Sequence, residues 1–141
     1  MKSFLDTSVL IPVFLEDHQH HQASFALFLT ADKARACCAA HTLAEVYSTF
    51  TRLPGRNRLS AEQALLFVRT IRERLTIVHL DADEYYASIE EAAGQGIVGG
   101  SIYDALLARC ALKAKVERIY TWNLAHFERF GPEVARRLRT P

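Results

Sequence analysis

Two hydrophobic patterns alternate along the chain. Short, nearly unbroken apolar runs give way to longer stretches in which apolar residues recur every three or four positions, the signatures of buried strands and of helices with one buried face. The runs at 4–7, 35–40, 75–80 and 118–122 predict strands. Helices are expected over 10–16, with Pro12 in a first turn, and over 18–29. Another is expected over 42–52, stopped by Leu53-Pro54-Gly55, and the next is capped by Ser60 and carries the stripe Ala64, Leu65, Phe67, Val68 and Ile71. A helix over 83–93 ends at Gly94 and Gly96, and one over 101–115 is apolar nearly all round, which predicts burial. Short helical turns are expected to finish the chain.

Strands alternating with helices over 141 residues predict one α/β domain, residues 1–141, with a central, mostly parallel sheet covered by helices on both faces. Right-handed crossovers bring the ends of such strands together on one side. In open α/β sheets, ligand sites form at the carboxyl ends of the strands. Asp6 stands at such a position, closing the first apolar run, and a buried charge there calls for protonation, a hydrogen-bonded partner or a cation.

Three further polar residues occupy matching positions in other βα units. Glu45 falls in the expected first turn of the helix after the second strand. Asp104 falls in the first turn of the all-apolar helix, and Asn123 lies just past the last strand in Thr121-Trp122-Asn123. Thr42-Leu43-Ala44-Glu45 and Ser101-Ile102-Tyr103-Asp104 also fit the capping-box spacing, so each acid singly has a structural explanation. Asp6 has none, since no cap requires it. Converging carboxylates repel one another, and burial raises their pKa values unless a cation compensates. Hard oxygen ligands suit Mg²⁺ or Mn²⁺, ions able to activate water for in-line attack on a phosphodiester.

Composition adds limits. Hydrophobic residues make up 50% and charged residues 23%, with a net charge of +1, ordinary values for a globular protein. The arginines crowd between Arg52 and Arg74 and between Arg129 and Arg139, as solvated faces or phosphate contacts. No apolar run approaches the ~18 residues that cross a bilayer. The N-terminus does not read as a signal peptide, and three cysteines, two of them adjacent, make neither a disulfide framework nor a zinc site, so a reducing cytoplasm is expected.

Taken together, Phe4-Leu5-Asp6-Thr7-Ser8, the helix start at Glu45, Asp104-Ala105-Leu106-Leu107-Ala108 and Thr121-Trp122-Asn123-Leu124-Ala125-His126-Phe127 resemble the PIN-domain family, most closely the VapC toxins of bacterial type II toxin–antitoxin pairs. The resemblance runs from about Lys2 to the C-terminus, and its strength lies in four motifs in the family's order. It implies a three-layer α/β/α sandwich and a Mg²⁺- or Mn²⁺-dependent endoribonuclease that cuts structured RNA, tRNA or ribosomal RNA. It also implies a homodimer and a small cognate VapB-like antitoxin that covers the active site. By position, Asp6, Glu45 and Asp104 become metal ligands and, with Asn123, the catalytic set. Thr7, Ser8 and Thr121 become the neighbours that orient carboxylates or waters. Asn123 departs from the aspartate many members carry there, which bears on whether a second metal binds.

Two other readings stand beside this one. A PIN-fold module that binds RNA or protein without cleaving it would keep the pocket, and the neutral Asn123 favours it. A phosphoryl-transfer enzyme with Asp6 as nucleophile lacks the second aspartate that a haloacid-dehalogenase pattern places at position 8. His18, His20 and His21 read as the solvated start of a helix or a zinc trap. His126 is either a substrate contact or a packing residue. Phe14, Tyr47, Phe50 and Phe67 form either an apolar groove for the antitoxin or part of the core.

Overall fold

The computed structural model describes all 141 residues. Its centre is a five-stranded sheet, parallel throughout, built from β1 (Ser3–Leu5), β2 (Ala36–Ala39), β3 (Thr76–Val78), β4 (Arg118–Tyr120) and β5 (Leu138–Arg139). The strand order is β3-β2-β1-β4-β5. The chain builds outward from β1 in one direction, then returns to add β4 on the other side. The strand order therefore reverses between β1 and β4, where open α/β sheets form their binding crevice. The short pairing of β5 with β4 carries no periodicity of its own, and the expectation of helical turns alone at the C-terminus is corrected there.

Each strand feeds both faces of the sheet, because successive side chains point to opposite sides. Leu5, Ala36 and Cys38 join one apolar cluster, while Phe4, Cys37 and Ala39 join the other. The first cluster is covered by α1 (Thr7–Val13), α2 (His21–Thr30), α3 (Ala40–Thr51) and α4 (Ala61–Arg74). Across the sheet, α6 (Ser101–Lys113), α7 (Leu124–Glu128) and α8 (Pro132–Ala135) cover the second, with α5 (Ala82–Gly94) packed outside α6. This is the expected three-layer α/β/α arrangement. No helix is long and apolar enough to cross a membrane.

Several local expectations are corrected. The first helix begins at Thr7, directly after the strand, so Pro12 is its sixth residue and not in a first turn. The second starts at His21, after a turn in which His18 Nδ1 accepts the His20 backbone N–H and His20 stacks on Trp122 at 3.7 Å. The helix predicted as apolar all round buries Leu106, Leu107, Ala108, Cys110 and Ala111 but leaves Tyr103 exposed. Phe50 is fully buried, with the rings of Phe14 and Phe67 at 6.2 and 5.4 Å, so these aromatics are core and only Tyr47 of the four is exposed.

Truncating a fully buried phenylalanine removes its transfer free energy and leaves a cavity, together about 3–5 kcal/mol. Phe50→Ala is therefore expected to lower unfolding free energy by about that amount in urea titrations. A loss below ~1 kcal/mol would show that the aromatic cluster does not support the first core.

Candidate active site

Asp6 is 3% exposed and sits where β1 passes directly into α1. Its extended backbone and its carboxylate make it the N-cap of that helix, with Oδ2 accepting the Ser8 N–H at 3.4 Å. The expectation that no cap requires it is therefore corrected. The cap bond is long, however, and shorter contacts dominate. Ser8 Oγ donates to Oδ2 at 2.7 Å and Thr121 Oγ1 at 2.8 Å. Each hydroxyl in turn accepts a backbone N–H from the loop after β4, Ser8 from Trp122 and Thr121 from Asn123, both at 3.0 Å. Two hydroxyl relays thus tie the end of β4 to the Asp6 carboxylate across the crevice. Both side-chain donors serve Oδ2, and no polar side-chain atom of the protein is both sealed and unpartnered, so Oδ1 opens to the cleft.

Glu45 comes from α3, but not from a first turn. That helix starts at Ala40 with Ala39 as a cap lacking any side-chain bond, so Glu45 lies in the second turn and the capping-box pattern is unused. Its Oε1 accepts from Thr7 Oγ1 at 2.8 Å, and the Thr7 hydroxyl lies 3.0 Å from that of fully buried Thr42. Asp104 lies in the first turn of α6, whose cap is Gly100 without a side-chain bond, so the second capping box is absent too. Asp104 Oδ2 lies 3.6 Å from Nδ1 of His126, an exposed residue on α7. Asn123 is exposed at the start of α7, and its side chain makes no capping bond.

All seven predicted site residues except Thr121 line one cleft of about 560 Å³, and Thr121 lies directly behind Asp6. Asp6, Glu45 and Asp104 are all pushed above the ordinary carboxylate range. Burial is the largest cause for each. Repulsion adds to it, from Asp6 on Asp104 and from both Asp6 and Asp104 on Glu45. Hydrogen bonds from Ser8 and Thr121 pull Asp6 back, as the hydrogen bond from Thr7 and the charge of nearby His41 do for Glu45. The carboxylates share the cleft without closing a three-ligand cage. Hard oxygen donors that repel one another, one of them a buried carboxylate with an oxygen turned outward, fit a small divalent cation that keeps several waters.

Sequence reasoning missed other residues of this cleft. His41 and Arg52 line it from α3 and Tyr103 from α6. The spacing of His41, Glu45, Ser48 and Arg52, at i, i+4, i+7 and i+11, was the available signal, since it places all four on one face of a helix. His20 and Trp122 brace the loop after β4, with the Trp122 indole N–H donating to buried Ser24 at 2.9 Å. The three cysteines are buried, and burial pushes the Cys37 thiol up to about 12, which makes these core residues and not redox groups.

Raised carboxyl pKa values mean that ionisation opposes folding. The stabilising protonated form is fully present below the unfolded pKa and is lost as pH rises through the raised value. Without metal, Asp104→Asn is therefore expected to melt a few degrees above wild type near pH 7, with the gain fading toward about pH 4. Equal melting near pH 7 would show that neither burial nor repulsion penalises the charged Asp104.

Comparisons with known proteins show the family and the fold. The PIN domain profile matches residues 3–131. Ribonuclease VapC27 of Mycobacterium tuberculosis is 36% identical over 114 residues, covering 80% of this chain and 79% of that protein. Among solved structures, VapBC2 from Rickettsia felis bound to a promoter DNA fragment covers 99% of this chain and 98% of its own, with a TM-score of 0.66 at 19% identity. VapC20 of Mycobacterium tuberculosis, described as a sarcin-ricin loop cleaving toxin, gives a TM-score of 0.67 at 17% identity over 84% of this chain and 87% of its own. The profile spans both β1 with Asp6 and the loop that holds Asn123, and this chain belongs to the PIN-domain family, among its VapC-type members.

Proposed function

We propose that this chain is a divalent-metal-dependent endoribonuclease, the toxin of a toxin–antitoxin pair. The observation that carries the reading is the meeting of three carboxylates from three βα units in one cleft, all with pKa values raised. The relative named as a ribonuclease and the neighbour named for cleaving the sarcin-ricin loop support RNA as substrate. The VapBC complex among the neighbours supports a VapB-like antitoxin as partner.

Asp6, Glu45 and Asp104 would hold the ion, Mg²⁺ or Mn²⁺. When bound, it supplies an activated water nucleophile and offsets the charge that develops on the phosphate. The chain's own residues set the geometry. Ser8 and Thr121 fix Asp6 through Oδ2 and thereby aim Oδ1 into the cleft. Thr7 holds Glu45 by Oε1, leaving Oε2 to orient a water by hydrogen bond. Asn123 offers a neutral amide at the same wall, which contributes a dipole but no charge toward a second ion.

The test is cleavage of total cellular RNA by antitoxin-free protein in EDTA, Mg²⁺ or Mn²⁺. Discrete fragments are expected only with metal, and Asp6→Asn should abolish them while leaving the fold intact by circular dichroism. Ser8→Ala should slow cleavage about 10- to 100-fold, the range for residues that orient a metal ligand. Tight metal binding by wild type without any cleavage would overturn the nuclease in favour of a binding module.

A further inference from the structure

The chain has a single tryptophan, Trp122, in the loop that follows β4. It is held at two points. Its indole N–H donates to Ser24 Oγ at 2.9 Å, and its backbone N–H donates to Ser8 Oγ at 3.0 Å. Ser24 is fully buried and belongs to α2, a helix that contributes nothing to the wall of the cleft. His20, just before that helix, lies flat against the indole with centroids 3.7 Å apart and planes 8° from parallel. The indole is therefore gripped by its edge and by its face. Apolar packing alone would tolerate several orientations of a partly buried ring, whereas a bond from Nε1 to a buried hydroxyl selects one.

The grip reaches the carboxylates through one hydroxyl. Ser8 Oγ has a single proton to give and lone pairs with which to accept. It accepts the Trp122 amide and donates to Asp6 Oδ2 at 2.7 Å, a shorter bond than the 3.4 Å one from its own backbone N–H. With the Trp122 amide seated on it, the Ser8 side chain is held between two partners and its proton faces Asp6. Without that amide the hydroxyl is free to turn toward Thr121 Oγ1, 3.2 Å away, and Oδ2 loses one of the two side-chain donors that fix it. Three consecutive hydrogen bonds thus run from Ser24 through Trp122 and Ser8 to Asp6. A brace that served stability alone would need the indole bond but not the seat of the amide on Ser8.

We propose that Trp122 is a positioning residue for the Asp6 carboxylate. Ser24 and His20 fix its indole, the fixed indole sets the backbone N–H of the same residue, and that N–H holds Ser8 where it aims Asp6. In this way α2 acts on a cation site that it does not touch. The inference rests on the reading of the cleft as a divalent-cation site, and it extends the residues that shape that site to Ser24, His20 and Trp122.

The experiment uses the full chain, with Mn²⁺ alone titrated calorimetrically and amide hydrogen exchange followed in the metal-free protein. Trp122→Phe keeps an aromatic ring against His20 and removes the indole N–H, while Ser24→Ala removes its acceptor. Thermal melts check that both variants fold. Ser8→Ala is expected to weaken Mn²⁺ binding about 10- to 100-fold, the range for a group that orients a metal ligand. Trp122→Phe and Ser24→Ala act one bond further out, so each should weaken it by roughly 3- to 10-fold. In the Ser8→Ala background Trp122→Phe should cost nothing more, because both act through the same hydroxyl. Without metal, the Trp122 and Ser8 amides should exchange faster in both variants, with the amides of β1 unchanged. Unaltered exchange at Trp122 and Ser8 would overturn the proposal, as would faster exchange at unchanged Mn²⁺ affinity, or losses that add in the double variant. Wild type and variants that show the exchange effects yet bind no Mn²⁺ would keep the linkage from Trp122 to Asp6 and sink the cation-site reading alone. Mn²⁺ binding that depends on Trp122, with no RNA cleaved, would sink only the nuclease reading.

Discussion

One buried carboxylate governs the site. Asp6 lies in the seam where the strand order reverses, and it is the shared acceptor of two hydroxyls that each hold a backbone amide from the neighbouring strand's loop. A buried charge is expensive unless hydrogen-bonded. Here the same bonds that offset its desolvation also set the distance between β1 and the loop after β4. The cleft owes its shape to that arrangement. Glu45 is held by Thr7, the next residue in the chain, so its placement follows from the same turn.

The arrangement sets stability against chemistry. Removing repulsion among Asp6, Glu45 and Asp104 would favour the fold, yet the same clustering concentrates negative charge in the cleft once the carboxyls ionise. The two apolar clusters on either face of the sheet carry the cost, leaving the strand ends free to be polar. Rigid elements present the three carboxylates: the start of α1, the N-terminal turn of α6 and one face of α3.

Much of this was legible in the sequence. The apolar runs over 4–7 and 118–122 placed the central strands, and the position of each polar residue in its βα unit placed the acids at the same end of the sheet. The misses have physical causes. Thr7-Ser8-Val9-Leu10-Ile11 is rich in β-branched residues and hides a helix start, so the capping role of Asp6 was invisible until packing against α2 and α3 imposed the turn. The Thr42–Glu45 capping box failed because α3 starts two residues earlier, directly off β2. The strand Leu138–Arg139 is too short to show any period. Pairing between His41 and Tyr103 is set by the docking of two helices, which no local pattern records.

The bond between Thr121 and Asp6 joins residues 115 positions apart. During synthesis the N-terminal half leaves the ribosome first, at about 5–20 residues per second, so some seconds separate the two partners' appearance. Throughout that interval Asp6 lacks the hydroxyl and the loop that aim it, and an unfinished or truncated chain has no assembled cleft. The long span of this one contact acts as a timing device: the geometry of the cleft comes into being only after β4 has been made and docked, late in the life of the nascent chain.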